Sequence, residues 1–137
     1  MKKQTILWMV LGLLSACNSP SGNNKSISVA DSTQSFNSQR VRLVGKWLQP
    51  IPGMEKERQG FELYENGVAT SLNIHTLQYD KWMVTKDTLF LSYHTEGVKQ
   101  VSNGIDTLII KKLDINNLVI SPVGTDTTNQ EEYTKEK

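Results

Sequence analysis

The sequence has a single cysteine and no apolar run long enough to cross a membrane. Cys17 is the only cysteine among 137 residues, so an internal disulfide is excluded. The most apolar run, Ile6 to Leu14, has nine residues. At about 1.5 Å per residue, a helix of that length covers less than half of a roughly 30 Å hydrocarbon core. The run therefore cannot anchor the protein by itself.

The sequence also lacks a large excess of charge of either sign. Without Lys2 and Lys3, the chain has 13 Lys and Arg against 14 Asp and Glu. Because no strong field remains, we expect neither nucleic acid nor a bare anionic membrane surface as a partner.

Motifs for catalysis and metal binding are missing as well. His75 and His94 stand apart from any nucleophile motif or metal-ligand spacing, and we interpret them as ordinary polar strand residues. We therefore expect a protein that is not an enzyme and holds neither a metal nor a cofactor. The carboxylates that fit turns and strand ends are Asp80, Asp87, Asp106 and Asp114.

The N-terminus has the pattern of a secretory signal peptide, with Met1-Lys2-Lys3 before the apolar run. Leu14-Ser15-Ala16-Cys17 follows and resembles the lipobox of bacterial lipoproteins, in which the cysteine is acylated and begins the mature chain. A lone cysteine has no disulfide partner in an oxidising compartment, so acylation gives Cys17 a purpose. An ordinary buried or free cysteine is the alternative. The resemblance implies several acyl chains, and stable anchoring needs at least two signals.

The residues after the cysteine bear on location and organisation. Asn18 and Ser19 favour the outer membrane by analogy with lipoprotein sorting, and the lack of an acidic cluster there favours its periplasmic face. Residues 17–40 are too polar to offset their ordering entropy and are interpreted as a disordered tether. Alternatively, Ile27 to Phe36 docks as an extra strand or a short helix. We expect residues 1–16 to be the signal peptide and residues 41–137 to be one domain.

Apolar residues at every second position, in short runs between turn residues, predict strands after Arg40. The clearest hairpin turns at Asn66-Gly67, which is interpreted as a type I′ turn because that dipeptide accepts two positive φ angles. The expected pairs are Glu65 with Val68, Leu63 with Thr70 and Phe61 with Leu72. This register places Phe61, Leu63, Val68 and Leu72 on one apolar face.

A second predicted hairpin joins Leu77–Val84 to Thr88–Thr95 through Lys86-Asp87, with Trp82 opposite Leu91 and Val84 opposite Leu89. The other predicted strands are Val41 to Leu48, Asp106 to Leu113, Leu118 to Pro122 and Thr127 to Lys135. About eight short antiparallel strands form either an up-and-down barrel or a sandwich. We favour a small all-β barrel because closure removes exposed edges.

The chain resembles the lipocalin-like domains of Bacteroidetes lipoproteins. The matching segments are Gly45-Lys46-Trp47, Pro50-Ile51-Pro52-Gly53, Gln59-Gly60-Phe61-Glu62-Leu63 and Gly67-Val68-Ala69-Thr70-Ser71, with Tyr79, Trp82 and Asp106. The resemblance implies a barrel open at one end, with Gly45 and Trp47 at its floor. In lipocalins the tryptophan stacks under a basic side chain near the last strand, and here Lys135 stands in that region.

Such a barrel has room for side chains or for one small molecule. The candidate ligand contacts are Phe61, Leu63, Leu72, Trp82, Leu91 and Tyr93, the last through a hydroxyl at the mouth. The bulky apolar members of this set are also explained as core. The Pro50 to Gln59 segment is interpreted as a solvated loop, with a short lid as the alternative.

Two functional classes remain. The first is a membrane-anchored lipocalin-like protein that binds a small apolar or amphipathic ligand, and the second is a ligand-free envelope module that contacts another protein. The second predicts a filled barrel and an exposed apolar patch near Phe90 and Ile109, alongside Met83 and Val119. A hydrolase is a distant third.

Overall fold

The structure is a computed structural model that describes residues 37–125 and 128–137. The predicted signal peptide, the predicted lipidation site at Cys17 and nearly all of the predicted tether lie outside these residues. A short helix over residues 37–43 precedes eight strands. The strands are β1 (Gly45–Ile51), β2 (Met54–Leu63), β3 (Ala69–Leu72), β4 (Leu77–Thr85), β5 (Thr88–Thr95), β6 (Asn103–Leu113), β7 (Asn117–Pro122) and β8 (Glu131–Lys135).

The strands form one antiparallel sheet in the order β3-β2-β1-β8-β7-β6-β5-β4. β1 pairs with β8, so the first and last strands meet. A seam remains between β3 and β4, where Val68 bridges Lys81 and the Trp82 amide donates to the Gly67 carbonyl at 2.8 Å. The sheet is therefore a nearly closed up-and-down barrel, and the predicted all-β fold class is confirmed.

The turn between β2 and β3 differs from the predicted type I′ turn. Only Gly67 has a positive φ there, at 85°, whereas type I′ needs two such residues. The Tyr64 amide donates to the Val68 carbonyl at 2.9 Å, and the Gly67 amide donates to the Tyr64 carbonyl at 3.0 Å. The connection is thus a three-residue loop with glycine in the left-handed position.

This longer loop shifts the register of β2 and β3 by one residue. Phe61 pairs with Ser71 and Leu63 pairs with Ala69, so the predicted pairs are wrong. A one-residue shift moves every side chain of β3 to the other face. Ala69 is therefore buried, and Leu72 is absent from the buried core cluster because it pairs with Gly60 instead of Phe61.

The second predicted hairpin is confirmed. Trp82 pairs with Leu91 and Val84 pairs with Leu89, and the turn contains Lys86 at a φ of 53°. Three of these apolar side chains are nearly inaccessible to solvent, at 4%, 0% and 0% exposed for Trp82, Leu91 and Leu89. Alternation was therefore a reliable guide to the buried face of β4 and β5.

Two other predicted elements are corrected. Val41 was predicted to begin a strand, but residues 37–43 form a helix. Leu43 packs into the core while Val41 is exposed, whereas two residues that are two positions apart would share one face of a strand. The predicted loop or lid after Pro50 is a tight hairpin in which Ile51 pairs with Met54. β2 accordingly runs through the charged residues that precede Gln59.

Candidate functional site

One end of the barrel is closed by the short helix and the Trp47 ring. Trp47 is 0% exposed, and its Nε1 donates to the Leu43 carbonyl oxygen at 2.7 Å. Lys135 Nζ lies 5.0 Å from the centroid of the Trp47 ring and donates to the Arg42 carbonyl oxygen at 2.8 Å. We call this the closed end.

Gly45 belongs to the same arrangement. A Cβ at Gly45 would lie 2.6 Å from Lys135 Cε, and its φ is +126°. Glycine at this position therefore lets the lysine stem lie across the floor beside Trp47. The structure thus brings Gly45, Trp47 and Lys135 into one group at the closed end.

The helix also covers the part of the seam between β3 and β4 that lies nearest the closed end. The Arg40 guanidinium lies 4.6 Å from the centroid of the Trp82 ring and donates to the Glu65 carbonyl oxygen at 3.0 Å. Trp82 Nε1 donates to the Tyr64 carbonyl oxygen at 2.8 Å. Arg40, which the sequence placed in the tether, is therefore part of the folded unit.

The six predicted ligand contacts fall into different parts of the barrel. Leu63, Trp82 and Leu91 belong to the buried core and do not line the cavity of about 230 Å³ that lies near the other end of the barrel. Leu72 lies on the outer face with Gly60. Phe61 is the predicted contact that lines the cavity.

Tyr93, the predicted hydroxyl at the mouth, lies across β6. A Cβ at Gly104 would be 2.5 Å from the Tyr93 hydroxyl oxygen, so the ring occupies the space that a side chain at that position would fill. Tyr93 therefore packs on the neighbouring strand, and the lining of the cavity does not include it.

A cavity of about 230 Å³ lies near the other end of the barrel, which we call the open end. Its position follows from the strand termini that surround it, since β7 ends at Pro122 and β8 begins at Glu131. Phe61 lies on the side towards the closed end. The lining residues are Phe61, Tyr79, Asp106, Thr107, Leu108, Ile120, Pro122, Glu131 and Tyr133.

Two tyrosine–carboxylate pairs give this cavity a polar wall. The Tyr79 hydroxyl donates to Asp106 Oδ2 at 3.2 Å, and the Tyr133 hydroxyl donates to Glu131 Oε2 at 2.5 Å. Gln49 Nε2 donates to the Tyr133 hydroxyl oxygen at 3.1 Å. Each carboxylate is thereby oriented by a phenol, which is buried for Tyr133 and partly buried for Tyr79.

Three aromatic rings form another part of the wall. The centroids of Phe61 and Tyr133 are 4.9 Å apart with a 51° angle between the rings. Phe61 and Tyr79 are 6.0 Å apart and nearly perpendicular, at 89°. Both separations lie in the range of favourable aromatic pairs, so the rings are packed before any ligand arrives.

Burial and negative charge set the protonation of these groups. Burial raises the pKa of Tyr79 well above its usual value, and the Asp106 charge raises it further. Burial and the Glu131 charge likewise raise the pKa of Tyr133. The pKa of Asp106 is also raised, chiefly by burial, although its hydrogen bond from Tyr79 acts in the opposite direction. Both phenols consequently remain hydrogen-bond donors at neutral pH.

Asp106→Asn is expected to raise the melting temperature at neutral pH. The folded protein raises the Asp106 pKa above 3.8, so ionisation costs stability as the pH rises through that raised value. An asparagine oxygen can still accept the Tyr79 hydroxyl. Thermal unfolding should be followed by circular dichroism at several pH values. The increase in melting temperature should disappear at pH values below the usual pKa of a carboxyl group.

Asp114→Asn is the matched control with the opposite sign. Hydrogen bonds from Asn116 and Asn117 lower the pKa of Asp114 to about 2, so its ionised form stabilises the fold above the ordinary carboxyl range. This variant should melt at a lower temperature at neutral pH. A lower melting temperature for Asp106→Asn as well would contradict the conclusion that the partly buried Asp106 carboxylate destabilises the fold when it is ionised.

The sequence reasoning missed most of this cavity. Asp106 was assigned to a strand end or turn, yet it lies inside β6 and pairs with buried Leu91. Asp106, Leu108 and Ile110 follow one another at two-residue intervals, which was an available signal for an inward-facing side chain. Tyr133 and Glu131 have the same spacing on β8. Asp80 is likewise within a strand, whereas Asp87 and Asp114 lie in turns as predicted.

Neither histidine lines the cavity. His94 lies in β5 and contacts Asp80 at 3.0 Å and Glu96 at 3.1 Å. Hydrogen bonds to these carboxylates raise the His94 pKa. His75 lies between β3 and β4 rather than in the predicted strand position. Within residues 37–125 and 128–137, no cluster of His, Cys, Asp and Glu is suited to hold a metal ion.

The outer surface of β4, β5 and β6 carries apolar side chains. Met83 and Ile105 are 54% and 65% exposed, and they share a shallow depression with Phe90. We call these three residues the outer patch. Ile109 and Val119, which the sequence also placed outside, are only partly exposed. Over the described part of the chain, no helix has the length and apolarity needed to cross a membrane.

Comparison with known proteins agrees with this architecture. Residues 39–136 match the lipocalin-like family. A crystal structure of a lipocalin-like protein from Bacteroides thetaiotaomicron VPI-5482 is 36% identical, with a TM-score of 0.61, over 69% of this chain and 97% of that chain. No curated protein gives a significant match. The chain belongs to the lipocalin-like family.

Proposed function

We propose that the protein is a lipoprotein, anchored through acylated Cys17 to the periplasmic face of the outer membrane, whose barrel binds a small amphipathic molecule. The observation that carries the binding part of this proposal is the cavity of about 230 Å³ at the open end, and the anchoring part rests on the sequence Leu14-Ser15-Ala16-Cys17. An aromatic wall and hydrogen-bonding groups meet in it, which is the usual composition of a small-molecule site. The protein acts by binding and not by catalysis.

The size and lining of the cavity favour an amphipathic ligand over a lipid chain. An apolar cavity of about 150 Å³ holds one benzene molecule, so this cavity fits a ligand of roughly ten heavy atoms. A wholly apolar ligand would also displace water from the Asp106 oxygen that Tyr79 does not bind, and it would offer no hydrogen bond in exchange. Leaving such an oxygen unpaired costs about 1–3 kcal/mol.

Native mass spectrometry of the protein, purified under mild conditions from the cells that make it, tests this proposal. A small molecule should accompany the barrel in a one-to-one complex and leave on unfolding. Pro122→Trp places a large ring in the cavity and should abolish the complex. Val123→Trp is the matched control because Val123 is 56% exposed. Retention of the molecule in Pro122→Trp, or its absence from the wild type, would contradict the proposal.

The outer patch favours a second candidate function, contact with another envelope protein. Exposed apolar patches on monomeric proteins often mark interaction surfaces. Crosslinking in intact cells from a photoreactive residue at position 105 should capture one defined partner if this function holds. Capture of that partner should be lost in Met83→Lys, and an unchanged pattern in that variant would contradict it.

A further inference from the structure

The charged side chains that line the open-end cavity are all acidic. Asp106 and Glu131 line it, and no lysine or arginine does. The ion pairs within the described residues involve other carboxylates, such as Glu136 with Lys46 and Asp114 with Lys112. The two cavity carboxylates therefore have no cationic partner in the described part of the protein.

These carboxylates are also electrostatically coupled to each other. Glu131 contributes to the raised pKa of Asp106, as expected for like charges held near one another. A positive charge between them would relieve this repulsion. Each carboxylate still has an oxygen that its tyrosine partner does not use, so each can accept a further hydrogen bond.

The aromatic wall adds a second attraction for a cation. Phe61, Tyr79 and Tyr133 present π systems beside the carboxylates. A cation within about 6 Å of such a ring gains roughly 0.5–2 kcal/mol, and the gain is larger when water is excluded. The rings equally suit the apolar part of a ligand that bears the charge.

We propose that the open-end cavity binds a small primary amine, with its ammonium group held between Asp106 and Glu131 and its apolar part against the Phe61 and Tyr133 rings. This inference rests on the proposed ligand-binding function and names the ligand class for the same site. The carboxylates select the charge, and the volume of the cavity limits the apolar part to about one six-membered ring. Anionic molecules are rejected by the same two groups.

Isothermal titration calorimetry with three probes of nearly equal size tests this inference on the mature chain carrying Cys17→Ser. Benzylamine is a cation at neutral pH, benzyl alcohol is its neutral counterpart and benzoate is an anion. Benzylamine should bind at least about tenfold more tightly than benzyl alcohol, since a hydrogen bond to a charged group contributes about 1.5–3 kcal/mol. Benzoate should not bind.

Substitutions of the two cavity carboxylates test whether they hold the ammonium group of benzylamine. Asp106→Asn and Glu131→Gln should each weaken benzylamine binding about tenfold and leave benzyl alcohol binding nearly unchanged. Glu132→Gln is the matched control, because Glu132 is adjacent to Glu131 and exposed as Glu131 is, but does not line the cavity. Equal binding of benzylamine and benzyl alcohol, or unchanged benzylamine binding in both cavity variants, would overturn the amine inference and leave the ligand-binding function standing. A folded protein that binds none of the three probes would overturn the inference, while a ligand found by native mass spectrometry would still support the binding function.

Discussion

Trp47→Ala is expected to lower the free energy of unfolding by about 3–5 kcal/mol. The Trp47 ring is 0% exposed and Lys135 lies over it. Its Nε1 donates a hydrogen bond to the Leu43 carbonyl oxygen. Alanine would leave a void at the closed end and an unpaired carbonyl. Because small domains are stable by only about 5–15 kcal/mol, urea unfolding followed by circular dichroism should show a large shift of the midpoint.

Trp47→Phe separates the two contributions of this side chain. Phenylalanine keeps an aromatic ring but cannot donate to Leu43, so the expected loss is smaller. A loss below about 1 kcal/mol for Trp47→Ala would contradict the assignment of Trp47 to a packed floor. Hydrogen exchange at Leu43 and Val44 should accelerate in both variants if this ring holds the helix in place.

Gly60→Ala should have the second largest effect on stability. A Cβ at Gly60 would lie 1.9 Å from the Trp47 carbonyl oxygen and 3.1 Å from the Leu48 Cα. Both atoms are backbone, so β1 and β2 would have to separate, and we expect a loss of about 3 kcal/mol. The same unfolding measurement checks this value.

Gly53→Ala is the control for the added methyl group. No atom lies within 4 Å of a Cβ at Gly53, where φ is +81°. The expected cost is therefore only the strain of a left-handed residue, about 1–2 kcal/mol. A smaller loss in Gly60→Ala than in Gly53→Ala would show that β1 and β2 are not held as closely as the structure indicates.

The sequence predicted the local architecture well where alternation and turns agreed. Leu89 and Leu91 lie two residues apart on β5, Leu91 pairs with Trp82 on β4, and all three face the core. Residues two apart on a strand share a face of the sheet. The Asn66-Gly67 hairpin was located correctly, but its register was not. Loop length sets register, and the dipeptide is compatible with both a two-residue and a three-residue loop.

The open-end cavity was harder to predict because the groups that form it come from distant strands. Tyr79, Asp106 and Tyr133 lie on β4, β6 and β8, and only closure of the barrel brings them together. The sequence reasoning also assumed an apolar lining, so it selected Leu63, Trp82 and Leu91. These side chains fill the barrel instead, while the lining of the cavity combines polar groups such as Asp106 with apolar side chains such as Ile120.

A crystal structure of the protein grown with benzylamine would show whether the open-end cavity is an amine site. We expect one molecule in the open-end cavity, with its nitrogen within hydrogen-bonding distance of Asp106 and Glu131 and its ring against Phe61. The closed end should remain filled by Trp47 and Trp82. A cavity occupied by the protein's own side chains, or benzylamine bound only on the outer surface, would contradict the account.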